Sequence, residues 1–321
     1  MPQIINCLRC RKGQSQDECN NTFFVILAAI SLIYFMVPAE VQAIDFKFEE
    51  WAVKKIVNGI NNNEAKKLAK DAAEEYGSGD LISAMTKIDK AIEKKNKSSF
   101  RLLRAKILLD ALSRGITLDG RANMASVLND ADAAIKAGLD IGYLVSGSAL
   151  LSAGEPKKAI AKLTEYINGK SIKSPKDDIS IWAFTIRAMC YVENGNPEAA
   201  DLDAGKVINY YIDLSTSTKN AIEDDGSLTI AVYVRGIAAY YNDDFANAKK
   251  LFDLAEVFGL SANELGLYRG RMLSDQGLID EAIKQFDKYI AAYPTLDIGY
   301  FELALCYAEK NDGDNSLKYI D

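Results

Sequence analysis

Tyr143 to Tyr166 reads YLVSGSALLSAGEPKKAIAKLTEY, and this stretch decides the fold. Apolar and small residues recur at intervals of three and four on both sides of Gly154-Glu155-Pro156. That is the pattern of two amphipathic helices joined by a tight turn. Gly154 ends the first helix, and Pro156 suits the first turn of the second, where a missing N–H costs nothing. Gly147 and Ala159 are small where the two helices come closest, because a bulkier side chain would push the axes apart. Leu163 and Tyr166 fill the space beyond them.

The spacing recurs along the chain. Phe184, Ala188, Tyr191, Gly195 and Ala200 repeat it, as do Gly236, Ala248, Phe252 and Ala255. Gly270, Leu273, Gly277, Ala282, Phe286, Tyr289 and Pro294 form the most complete copy. Weaker copies flank these. Leu68, Ala72, Gly79, Ala84, Ile88 and Ala91 make one; Ala105, Leu108, Val127, Ala131 and Ala134 make another, stretched by an insertion near Arg114 to Asn123. Tyr300, Ala304, Tyr307 and Ser316 begin a last unit that the chain end interrupts. The best units are placed at about 140–168, 181–212, 229–260 and 263–296.

These units resemble tetratricopeptide repeats, whose pattern is W-x2-L-G-x2-Y, then A-x3-F, then P, over about 34 residues. The resemblance covers residues 65–321, although most units lack the tryptophan and the closing proline. The small residues of the second helices, at 84, 127, 159, 200, 248, 282 and 316, are unevenly spaced. The expected fold is all-α: a right-handed α-solenoid of about six to seven tetratricopeptide-like hairpins. An N-terminal hydrophobic segment precedes it, and residues 44–64 serve as a linker or first helix. Two connections, Gly169 to Ser180 and Asp213 to Ser227, are read as surface insertions, or as a segment reaching over the groove.

The N-terminal segment is an address. Thr22 to Val37, TFFVILAAISLIYFMV, carries no charge over sixteen residues, with Arg9, Arg11 and Lys12 before it. Val41-Gln42-Ala43 offers slender residues where signal peptidase cuts, so residues 1–43 read as a cleaved signal peptide or an uncleaved signal anchor. Sixteen residues cover about 24 Å, somewhat less than a hydrocarbon core. Basic residues precede the segment, whereas Glu40, Asp45, Glu49 and Glu50 follow it. The positive-inside rule therefore sends the body across the membrane under either reading. The protein is expected to be exported, either periplasmic or secreted, and held at the inner membrane if residues 22–37 remain attached.

Composition narrows the chemistry. The chain has no histidine, which excludes Ser-His-Asp and Cys-His nucleophile systems, histidine-based metal sites and histidine general bases. The net charge is −7, and an acidic chain gains little from polyphosphate, so no nucleic-acid partner is expected. Cys7-x-x-Cys10 is half of a metal knuckle with no second half. Cys190 and Cys306 lie too many units apart for a bridge and read as small packing residues. No catalytic, cofactor-binding or metal-binding residue is assigned. An enzyme would need a catalytic domain, and the repeats leave over only Ile44 to Asn63.

First helices of the family line a concave face, so the resemblance implies a protein or peptide partner held there. The matching stripe in this chain collects Trp182, Thr185 and Met189, then Tyr233, Ile237, Tyr240 and Tyr241, then Leu267 and Arg271. Aromatics, Met and Arg favour binding centres, yet a helical aromatic stripe is also what core between neighbouring hairpins looks like. Tyr240 and Tyr241 cannot both face inward, because successive helical residues point about 100° apart. Some family members grip a C-terminal carboxylate with Lys, Arg and Asn. Ser148, Ser152 and Glu193 stand on the comparable surface here, so an apolar helix or extended segment is the expected ligand.

Overall fold

The computed structural model describes Lys55 and residues 64–218, 226–294 and 296–319, without the side chains of 214–218. The apolar segment 22–37, the cleavage site after Ala43 and all of the 44–64 linker except Lys55 and Glu64 lie outside the described residues. Fourteen helices and no strand occur among those described. No helix there is long and apolar enough to cross a membrane.

The helices pair into seven hairpins: α1 (Glu64–Gly77) with α2 (Leu81–Lys94), α3 (Ser98–Ser113) with α4 (Met124–Lys136), and α5 (Ile141–Ser152) with α6 (Pro156–Gly169). Then come α7 (Asp178–Glu193) with α8 (Pro197–Thr218), and α9 (Ser227–Tyr241) with α10 (Phe245–Val257). The last are α11 (Gly266–Asp275) with α12 (Ile279–Ala292), and α13 (Asp297–Glu309) with α14 (Gly313–Lys318). Each helix packs on its predecessor, and first helices of successive hairpins pack on one another. One core runs from Ala65 to Met272 and a second joins the last two hairpins. No residue is central, because every core segment is shared with a neighbour.

One turn chemistry folds six of the hairpins. Gly79, Gly154, Gly195, Asp243, Gly277 and Asn311 all adopt positive φ, and each stands two places before the first residue of the second helix. The backbone pattern is constant. Gly195 N–H donates to Val192 O and Asn196 N–H to Tyr191 O; Gly277 and Leu278 donate to Ser274 and Leu273 in the same way. This is the Schellman closure, which satisfies orphan carbonyls and favours Gly or Asn at the left-handed position. The next residue caps the following helix: Asp80, Asn196, Asp244 and Asp312 accept from backbone N–H groups three residues on. Where the cap is missing, at Glu155 and Leu278, Pro156 or the acidic pair Asp280 and Glu281 occupies the first turn. The second hairpin closes α3 alike at Gly115 and Ile116, then inserts a loop before Asn123 caps α4.

The unevenly spaced small residues prove to be in exact register. Ala84, Val127, Ala159, Ala200, Ala248, Ala282 and Ser316 are each the fourth residue of their second helix, and all are buried. The irregularity lies in loops and helix lengths. Part of what the sequence suggests as connection is helix: α8 continues through Thr218, and α7 begins at Asp178 inside the 169–180 stretch.

The first-helix ridge consists of Ala72, Ala105, Gly147, Ala188, Gly236, Gly270 and Ala304. A Cβ added to Gly147 would stand 2.8 Å from Leu163, and one added to Gly236 or Gly270 would stand 2.5 Å from Phe252 or Phe286. Each of those large residues lies four places beyond the second-helix small residue. At the corresponding place opposite Ala105 and Ala188 the chain carries Ala131 and Ala204, both fully buried. At these five contacts glycine pairs with a large residue and alanine with a small one, keeping volume roughly constant, whereas the first hairpin pairs Ala72 with the larger Ile88.

Buried ion pairs add a second tie. The Arg187 guanidinium on α7 donates to both carboxylate oxygens of Asp203 on α8 at 2.6 and 3.0 Å, and to Thr164 Oγ1 at 3.0 Å. Arg104 on α3 grips Asp130 on α4 in the same two-pronged way, at 2.6 and 2.9 Å.

Two stability outcomes follow from these contacts. Gly270→Ala is expected to cost about 1–3 kcal/mol by overpacking against Phe286, and Gly270→Ala with Phe286→Leu to recover most of that loss in denaturant titration. Asp203→Ala, which strands the Arg187 charge, should cost about 3–5 kcal/mol, whereas Arg187→Met with Asp203→Leu should unfold near the unaltered midpoint.

Candidate interaction face

Helical geometry fixes which first-helix residues share a face. Counting from the ridge residue, positions six and three before it, one after it and four to five after it form a single stripe. On α7 these are Trp182, Thr185, Met189 and Val192; on α9 they are Ile230, Tyr233, Ile237 and Tyr240 with Tyr241. On α11 the stripe holds Leu267 and Arg271 and ends at Ser274 and Asp275.

The structure encloses most of the stripe. Trp182 and Leu267 are fully buried, and Met189, Tyr233 and Ile237 are also buried. On α7 eleven consecutive residues, Ser180 to Cys190, are buried on every side of the helix. Second helices differ: α10 buries only Ala248, Phe252 and Ala255, and α12 only Ala282, Phe286 and Tyr289. Thr185 is fully buried as well, so six of the nine residues picked out from sequence lie inside the fold. Tyr240 and Arg271 are half-buried, and Tyr241 is 48% exposed. The successive-residue geometry separates the two tyrosines as it should: Tyr240 turns inward and Tyr241 outward.

Around that opening the side chains form one connected group. Tyr268 is its hub, with ring centroids 5.7 Å from Tyr240, 6.2 Å from Tyr241 and 6.1 Å from Tyr233. The Arg271 guanidinium lies 5.1 Å from the Tyr268 centroid while its Nε donates to Glu302 at 2.7 Å, tying α11 to α13. The Tyr240 hydroxyl donates to Asp275 at 2.7 Å; burial, then this bond, push its pKa well above the usual phenol range. It therefore stays a neutral donor. Burial and nearby Asp275 also raise the Glu309 carboxyl. Leu305 on α13, 40% exposed, holds the place next to its ridge alanine that Arg271 holds beside Gly270. An aromatic floor, one guanidinium, carboxylates and an exposed leucine suit the side chains of a peptide or protein surface.

Sequence reading missed Tyr268, Asp275, Glu302 and Leu305. Leu305 was within reach, since its offset from Ala304 repeats that of Arg271 from Gly270. Tyr268 was not, because its role comes from Tyr233, Tyr240 and Tyr241 of α9 and Phe252 of α10 meeting it on α11. Elsewhere, Cys190 and Cys306 are buried free thiols. Burial pushes the Cys306 thiol up to about 11, so at neutral pH it is a packing group and not a nucleophile. Among the described residues, no group of three or more His, Cys, Asp and Glu is placed to hold a metal ion.

No protein-family model matches the sequence, and no curated protein matches it. Solved structures do match its shape. A tetratricopeptide repeat protein from Parabacteroides merdae is 13% identical with a TM-score of 0.56, over 79% of this chain and 90% of that one. RapI in its apo form is 14% identical with a TM-score of 0.57, over 80% of this chain and 95% of that one. Likeness at such low identity speaks for architecture alone, and it agrees with the seven stacked hairpins and their recurring turn. The chain has the fold of a tetratricopeptide-like helical-repeat protein.

Proposed function

We propose that this protein is an exported, non-enzymatic scaffold or adaptor that holds a protein or peptide partner along the stripe of its first helices during envelope assembly or secretion. The carrying observation is the opening of that stripe at its C-terminal end, where Tyr241 and Leu305 reach solvent beside Arg271. A stack with a small constant rotation per hairpin curves into a superhelix whose concave side presents first helices. Trp182, Met189, Tyr233, Ile237 and Leu267 would support the floor from beneath, while Tyr241 and Arg271 make direct contact. Arg and Tyr are the side chains that most often dominate binding energy.

Export rests on the sequence of residues 1–43, with its basic leader, apolar run and acidic follower. The same residues left uncleaved would make the protein a single-pass membrane-anchored assembly factor with the array on the far side. N-terminal sequencing of protein recovered from cells separates the two readings: a start at Ile44 supports release, and retention of residues 22–37 supports the anchor.

A photoreactive phenylalanine analogue at position 241 or 305 should crosslink one discrete partner in cells, whereas the same probe at Ile82 or Val257, exposed on second helices, should not. Arg271→Ala should reduce the crosslink at 241 about tenfold or more, the loss of a contact worth about 2 kcal/mol. Equal crosslinking from all four positions would remove the face assignment.

A further inference from the structure

Tyr241 and Leu305, 48% and 40% exposed, leave an apolar opening on the first-helix face of the last three hairpins. What borders the opening says which occupant it suits. Five places beyond the ridge residue, the first helices carry Glu193 on α7, Tyr241 on α9, Asp275 on α11 and Glu309 on α13. Each of the four is also the last residue of its helix. One rim of the open face is therefore built from helix C-termini, with three carboxylates and a phenol in a single register.

That rim is electrostatically one-sided. The C-terminus of a helix carries partial negative charge and favours a cation in its last turn, so a carboxylate there is unfavourable. None of α7, α9, α11 and α13 has a basic residue in its last turn. The cations beside the rim in sequence already have carboxylates of their own: Arg271 bonds Glu302 at 2.7 Å, and Lys310 turns to Asp280 on α12 at 2.6 Å. Asp275 accepts from the Tyr240 hydroxyl, a donor that brings no charge. Burial, then the neighbouring Asp275, raise the Glu309 carboxyl, with no cation among the described residues opposing them.

The wider field has the same sign. Residues 227–321, which include the last three hairpins, hold 15 Asp and Glu against 9 Lys and Arg, whereas residues 64–136, the first two hairpins, hold 11 against 14. A cationic ligand is steered toward the open end and an anionic one away from it.

We infer that the occupant of this opening is a basic amphipathic segment of another protein, with Leu or aromatic side chains on Tyr241 and Leu305 and Lys or Arg side chains on the rim at Asp275 and Glu309. Leu305 and Glu309 are four residues apart on α13, as are Arg271 and Asp275 on α11, so the rim lies about one turn beyond the apolar positions on the same face. Neighbouring first helices stand roughly 8–10 Å apart and an extended chain advances about 3.3 Å per residue. Cations about three places apart in the occupant therefore meet Asp275 and Glu309 together. The Tyr241 ring, in the same register, offers its face to a further cation. The inference names the partner chemistry of the face assigned above and rests on that assignment.

A random peptide library displayed on phage and panned on the full chain tests it. Selected peptides should be rich in Lys and Arg interleaved with Leu, Phe or Trp. Synthetic copies should bind Asp275→Asn with Glu309→Gln about tenfold more weakly than the unaltered protein, and affinity should fall as salt rises. These replacements keep shape and remove repulsion at two helix C-termini, so the thermal midpoint by circular dichroism should hold or rise. Selection of acidic or uncharged peptides, selection of none, or basic peptides that bind the double variant undiminished overturns the inference. Tyr241→Ala with Leu305→Ala separates it from the face assignment: acidic or uncharged peptides that lose affinity for this variant keep the face and remove only the basic occupant, whereas peptides indifferent to it remove both. Should the double charge variant unfold, Glu309→Gln alone, at an exposed carboxylate, decides: binding should weaken about threefold, and undiminished binding overturns the inference.

Discussion

Close approach of two helices within a hairpin is the constraint on which the remaining structure depends. It is set where Gly147, Gly236 and Gly270 face Leu163, Phe252 and Phe286, with no room for a further carbon. A rod pair held at that distance leaves both outer surfaces apolar, and those surfaces are satisfied only by the next hairpin. The Schellman turn keeps the geometry constant, because the same two carbonyls are capped each time the chain reverses. A glycine, or an Asp or Asn able to take positive φ, is required there for the same reason.

Stacking then divides labour between the two helices of each pair. Second helices bury one narrow stripe and carry the charged outer surface. First helices are enclosed by helices on either side, which is why α7 buries eleven residues in a row. Two guanidiniums drawn toward that interior are each matched by a carboxylate, Arg187 by Asp203 and Arg104 by Asp130. Such pairs give register more than stability, since removing both charges costs little and removing one costs much.

The face offered to a partner is where this enclosure relaxes. Around Tyr268 the rings stay packed while Tyr241 and Leu305 reach water, and Arg271 lies over the Tyr268 ring with its Nε bonded to Glu302. A fixed guanidinium and rigid rings lose little conformational freedom on binding, so contacts there convert efficiently into affinity.

Sequence alone determined the helical hairpin, its repetition and the small ridge, because a three-four apolar period interrupted by Gly before a cap has one local solution. It set Tyr240 and Tyr241 on different sides, since helix geometry follows from spacing, but it paired Gly147 with Ala159, whereas the structure puts Leu163 against Gly147. It left the number of units between six and seven, and only the structure showed that the uneven small residues share one register, the irregularity being absorbed in loops. Tertiary structure alone decided which stripe residues are interior: Trp182 and Tyr241 read alike in sequence, but the first is enclosed by neighbouring chain and the second stands at an edge. Burial is a property of what packs from afar, as when α5 and α9 both pack on α7, and no local pattern encodes that.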